Sequence, residues 1–137
     1  MNVILRKVDY EKMVYYARSC LPEEACGLIA GHIDGETKTV EKVFCLANTD
    51  HSAEHFNIDP REQLAAIREA RASGWAMLGN WHSHPNTPSR MSEEDIRLAA
   101  DSAASYLILS LAEAEPMLNA FSVKDGVVRK DNLVIKE

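Results

Sequence analysis

Two histidines two residues apart, His82 and His84, close an apolar run, Met77-Leu78-Gly79-Asn80-Trp81, that reads as a strand. Side chains alternate along an extended backbone, so the two imidazoles point to one face. Asp95 follows across a loop containing proline and serine, far enough along for the chain to fold back and add a carboxylate at the same point. Two neutral nitrogens and one anionic oxygen, with a fourth position left for water, are the donor set of a catalytic zinc.

The surrounding elements must bring those groups together. Val3 to Lys7 reads as a short strand, and Asp9 as the cap of a helix running to about Ser19, with Tyr10, Met13, Val14 and Ala17 as its apolar stripe. Leu21-Pro22 stops it. The acids of Pro22-Glu23-Glu24 then open an apolar strand, Ala25 to Gly31, which a turn at Asp34-Gly35-Glu36-Thr37 joins to a second strand, Thr39 to Leu46. Asp59-Pro60-Arg61-Glu62 is a helix start with Leu64, Ile67 and Ala70 facing inward, and Gly74 ends that helix.

The strand Trp75 to Trp81 leads into the histidines, and a helix from Ser92 offers Ile96, Leu98, Ala99 and Ala103 for packing. Tyr106 to Leu111 has the continuous apolar character of a central strand. Met117 to Lys124 and Val127 to Ile135 form a final hairpin turned at Asp125-Gly126. This order of elements implies a single α/β domain over residues 1–137, a mixed sheet with helices packed on it.

Composition bounds the partners. The chain has 137 residues and 46% hydrophobic content, enough for one sizeable core. Its net charge of −6 and scattered Lys and Arg argue against nucleic acid and toward a protein or small molecule. The first residues carry too short an apolar run for a signal peptide, and no stretch approaches a membrane span, so a cytoplasmic location is expected. Cys20, Cys26 and Cys45 are odd in number and include no C-x-x-C pair, which indicates neither a disulfide framework nor a zinc knuckle.

Each half of the site also has a plain structural explanation. Ser92-x-x-Asp95 is a capping box that needs no metal, and His-Ser-His suits an exposed strand end. On residue type alone, Glu24 reads as a solvated strand end, and His32, His51 and His55 as surface residues. Joined as H-x-H-x7-S-x2-D with Pro85 stiffening the strand exit, the combination is far more specific than its parts.

The stretch His82-Ser83-His84-Pro85, then Ser92 and Asp95, with Pro22-Glu23-Glu24-Ala25-Cys26-Gly27 upstream, resembles the JAMM (MPN-plus) zinc metalloprotease domain over essentially the whole chain. The resemblance implies a cytidine-deaminase-like fold, a mixed β-sheet between helices. It makes His82, His84 and Asp95 the Zn2+ ligands, Glu24 the general base and Ser92 the donor to the oxyanion. The implied substrate is a peptide or isopeptide bond at the tail of a ubiquitin-like or sulfur-carrier protein. The short loop from His84 to Ser92 is similar to the compact prokaryotic members and lacks the long insertions of eukaryotic deubiquitinating ones. An extended tail would dock beside a sheet edge, with narrow space near the metal selecting glycine.

Two rivals remain open at this point. A zinc nucleoside deaminase is disfavoured because H-x-E and P-C-x-x-C are both missing. A non-catalytic scaffold that binds a ubiquitin-like protein keeps the fold without needing all five polar positions.

Overall fold

The run that ends in the two histidines is strand β4 (Ala76–His84), and in the computed structural model, which describes residues 1–137, it lies in the middle of the sheet. The chain before it forms β1 (Asn2–Arg6), α1 (Lys7–Cys20), β2 (Cys26–Asp34), β3 (Thr37–Leu46) and α2 (Pro60–Ala72). After it come α3 (Glu93–Leu98), β5 (Ser105–Ser110), β6 (Met117–Lys124), β7 (Val127–Lys130) and β8 (Asn132–Lys136). All eight strands share one mixed sheet in the order β7-β6-β5-β4-β2-β3-β1-β8. β4 runs parallel to β5, and β1 runs parallel to both β3 and β8, while the other pairs are antiparallel.

The two ends of that order are consecutive in sequence, and this curls the sheet almost into a barrel. Only Asp131 separates β7 from β8, and its N–H donates to the Ala120 carbonyl of β6 at 2.9 Å. The expected long hairpin from Val127 to Ile135 is therefore corrected. The chain leaves β6 after Lys130 and crosses to β1, where Leu133 and Val134 pair with Val3 and Ile4. A strand can only run on as a hairpin while its partner offers an open edge, and β1 supplies the edge that remained.

Helices cover both faces. Met13 and Ala17 of α1 enter a core with Val3, Leu5, Ile29, Val43, Trp81 and Leu107. Ala66 and Ala70 of α2 pack on Leu28, Ala30, Phe44 and Leu46 on the other side. Asp59 caps α2 as expected, accepting from the N–H groups of Arg61 and Glu62, but Leu64 faces solvent and the inward stripe is Ala66, Ile67 and Ala70. α1 begins at Lys7, directly off β1, so Asp9 lies in its first turn and accepts from the Arg6 guanidinium at 2.8 Å instead of capping it. No helix is long and apolar enough to cross a membrane, and all three cysteines are free.

A bulge sets the facing of β4. Ile29 pairs with Gly79 and Ala30 with Met77, so Leu78 is the extra residue. Gly79 has φ +155, and a Cβ there would lie 1.8 Å from the Ser105 carbonyl oxygen, so only glycine fits. The bulge lets Leu78 and Trp81 enter the same core although they are three residues apart. Beyond it alternation is regular, and Asn80, His82 and His84 share the opposite face. The buried Lys38 ammonium pins this region, donating to the carbonyls of Leu78 at 3.2 Å and Ala103 at 2.6 Å and to Ser105 Oγ at 2.8 Å.

Candidate metal centre

His82 and His84 are buried at the end of β4, and α3 brings Asp95 over them. His82 Nε2 lies 3.1 Å from His84 Nε2 and 3.3 Å from Asp95 Oδ2, and His84 Nε2 lies 3.2 Å from the same oxygen. Four ligands at about 2.0 Å around a tetrahedral zinc stand about 3.3 Å apart, so this triangle is one face of such a site. The donor chemistry also fits. His84 Nδ1 donates to the Pro88 carbonyl at 2.9 Å, which places the proton on that nitrogen and leaves the Nε2 lone pair facing the triangle.

Burial shifts the titration of every member. Desolvation lowers the His82 pKa against the pull of Asp95. Desolvation also opposes charge on His84, but the hydrogen bond to Asp95 outweighs it and the net shift is upward. Burial disfavours the Asp95 carboxylate too, yet its bonds to both histidines hold its pKa well below the usual carboxylate range.

Asp95 is held by the capping box foreseen in the sequence. Ser92 Oγ accepts from the Asp95 N–H at 3.0 Å, and the Ser92 N–H donates to Asp95 Oδ2 at 3.0 Å. The cap and the ligand role thus use one geometry, and the hydroxyl proton of Ser92 stays free to donate. α3 is short, and none of its residues is buried; Leu98 is 65% exposed. The packing helix expected from Ser92 to Ala103 is corrected to a six-residue helix that serves the site and not the core.

Glu24 sits just before β2, buried, and it shares a cleft with His84 and Ser92. Its backbone is tied on each side: the Glu24 N–H donates to the Ser52 carbonyl at 2.8 Å, and the Glu24 carbonyl accepts from Asn48 Nδ2 at 3.1 Å. The next N–H, of Ala25, donates to Ser83 Oγ at 2.8 Å, so the serine between the two histidines locks the glutamate to the ligand strand. Ser83 and Asn48 were not singled out from the sequence, because a serine inside a motif and an asparagine in a polar loop carry no signal until the strands pair. Ser83→Ala strands the buried Ala25 N–H and is expected to destabilise the fold by about 1–3 kcal/mol in denaturant titration. Unchanged stability would show that Ser83 is not the tie.

Burial pushes the Glu24 carboxyl up to about 8, with His84 lowering it and Asp95 raising it. An acid raised from 4.5 stabilises the metal-free fold fully below pH 4.5 and loses that contribution as pH rises through 8. Metal-free Glu24→Gln is accordingly expected to gain stability relative to wild type between about pH 5 and 9, measured by urea unfolding. A difference independent of pH would remove the buried acid from the account.

Two residues read from sequence as plain surface come to the mouth of the cleft. His55 Nδ1 lies 2.8 Å from Glu94 Oε1, joining the loop after β3 to α3, and the adjacent Phe56 stacks on the His82 ring with centroids 4.6 Å apart. His51 pairs with Glu23 at 3.2 Å and His32 is exposed on β2, so neither joins the ligands.

The model of prokaryotic homologues of the JAB domain matches residues 7–124. The chain belongs to the prokaryotic JAB family. Among JAB relatives, the CysO-cysteine peptidase of Mycobacterium tuberculosis is 27% identical over 136 residues, covering 98% of this chain and 92% of that protein. A desampylase of Haloferax volcanii is 30% identical over 92 residues, 65% of this chain and 63% of that one. The solution structure of a Desulfitobacterium hafniense protein has a TM-score of 0.90 at 49% identity, covering 100% of this chain and 94% of that one. A JAB1/MPN domain protein of Archaeoglobus fulgidus shares the fold at TM-score 0.60 and 18% identity, covering 98% of this chain and 99% of that one. The JAB fold is thus the mixed sheet between helices that the motif implied.

Proposed function

We propose that this chain is a zinc-dependent hydrolase that cuts a peptide or isopeptide bond at the C-terminal tail of a ubiquitin-like or sulfur-carrier protein. The observation that carries the reading is the triangle of His82, His84 and Asp95 with Glu24 and Ser92 on one adjoining cleft. The names of the relatives, a CysO-cysteine peptidase and desampylases, support the substrate class.

His82 Nε2, His84 Nε2 and Asp95 Oδ2 would hold the ion. When bound, zinc acidifies water to a pKa of about 7, polarises a carbonyl and favours the ionised form of a nearby carboxyl. Glu24 is not in the triangle, which leaves its carboxylate free to take a proton from the attacking water and return it to the departing amine. The Ser92 hydroxyl donates to the developing oxyanion, and a well-placed donor of that kind contributes about 2.7–4 kcal/mol. No side chain needs to form a covalent intermediate.

The open edges of the sheet belong to β7 and β8, and β4 is paired on both sides by β2 and β5. A tail therefore cannot add to the ligand strand as a further strand. It must reach the triangle between the loop at residues 47–59 and the loop at residues 85–92. A cytoplasmic location is part of the same reading, since three free thiols suit a reducing compartment. The test is incubation with sulfur-carrier and ubiquitin-like proteins bearing C-terminal extensions, followed by mass spectrometry. Loss of the extension with zinc and not without it is expected; tight binding with no cleavage would leave a scaffold.

A further inference from the structure

A second pocket opens on the other side of the triangle from Glu24. His82 and Asp95 form its floor, and Phe56, Asn80, Leu98 and Tyr106 stand around it. Glu54, His55 and Glu94 border both this pocket and the Glu24 cleft, so the His55–Glu94 pair divides one mouth into two openings. The pocket encloses about 420 Å³ counting its mouth, at the small end of ligand sites.

Asn80 is the unusual wall. It lies two residues before His82 on the same face of β4, about 6–7 Å along the strand. Its Oδ1 is buried with no hydrogen-bond partner. Buried polar atoms in folded proteins are paired, and an amide among apolar side chains beside a reactive centre calls for a partner from outside. A carboxamide offers one acceptor and one donor edge, which is the complement of a peptide group.

The tetrahedral carbon of amide hydrolysis carries four substituents. Glu24 serves the attacking oxygen and the leaving nitrogen, and Ser92 serves the oxyanion, all from the first cleft. The remaining substituent, the acyl carbon, is directed to the other opening.

We propose that Asn80 holds the last peptide group on the acyl side of the scissile bond, accepting its N–H and donating to its C=O. This rests on the hydrolase reading above. Asn80 acts as a specificity and positioning residue: it selects an extended backbone, while Phe56 and Leu98 leave little room for a large last residue.

The test uses a synthetic tail peptide ending Gly-Gly-Cys and the same peptide N-methylated at the second glycine. N-methylation is expected to lower wild-type kcat/KM about tenfold or more, as is Asn80→Ala on the unmodified peptide. In Asn80→Ala, N-methylation is expected to cost less than about twofold, because the two changes remove one shared interaction. Zinc content and thermal stability of Asn80→Ala check its fold. The Kd of both peptides for Glu24→Gln, with and without Asn80→Ala, repeats the cycle where no turnover is needed. An Asn80-dependent methylation penalty in binding with no cleavage by wild type would sink the hydrolase reading and keep this one. Equal penalties with and without Asn80, no binding of either peptide, or an altered choice among leaving amino acids instead would each overturn it.

Discussion

Glu24→Gln is expected to keep one zinc per chain and to lose hydrolysis by about 10²–10⁴-fold, the range for removal of a positioned general base. The substitution changes no shape. Glu24 is buried, its backbone is fixed by Ser52, Asn48 and, through Ala25, by Ser83, and it makes no side-chain contact with the three ligand atoms that the triangle needs. An amide in the same place accepts no proton from water at neutral pH. Kinetics with metal analysis on one preparation separate the outcomes: a variant as active as wild type removes Glu24 from the chemistry, and one without metal returns it to structure.

His82→Ala is expected to abolish zinc retention. The loss exceeds the roughly 10- to 100-fold that removal of an outer partner of a ligand costs, since it deletes a donor itself. It also removes the ring on which Phe56 stacks and leaves a void at a position only 2% exposed. A fall in melting temperature of the metal-free variant is expected beside the metal loss. Metal content unchanged in His82→Ala, measured after dialysis, would refute the ligand assignment.

The histidine pair was legible because period-two alternation survives from Asn80 onward, and the strand before it was legible as an apolar run. The bulge at Leu78 was not, since nothing in Met77-Leu78-Gly79 says which residue is extra until Ile29 and Ala30 pair with it. The central strand β5 read correctly because all six of its residues are buried. The end of the chain did not. Val127 to Ile135 looks like one strand, and only the open edge of β1, fixed by β3, decides that it breaks at Asp131 and crosses over.

The site divides in the same way. Ser92 and Asp95 show themselves through local spacing, so both the cap and the ligand position could be read. Glu24 is 58 residues before His82, and residue type alone made it a solvated strand end; only the family resemblance singled it out. Its burial comes from long-range pairing of β2 with β4. His55, Phe56 and Asn80 were passed over for a related reason: one lies in a loop without periodicity, and the others look like ordinary loop and strand residues until Asp95 arrives above them.

The most direct measurement is diffraction from crystals of the zinc-loaded protein at wavelengths on either side of the zinc absorption edge. One anomalous peak is expected about 2.0–2.2 Å from His82 Nε2, His84 Nε2 and Asp95 Oδ2 together, with the Glu24 carboxylate outside that distance. A peak bound elsewhere, Glu24 as a direct ligand, or those three atoms spread apart around no ion would contradict the account.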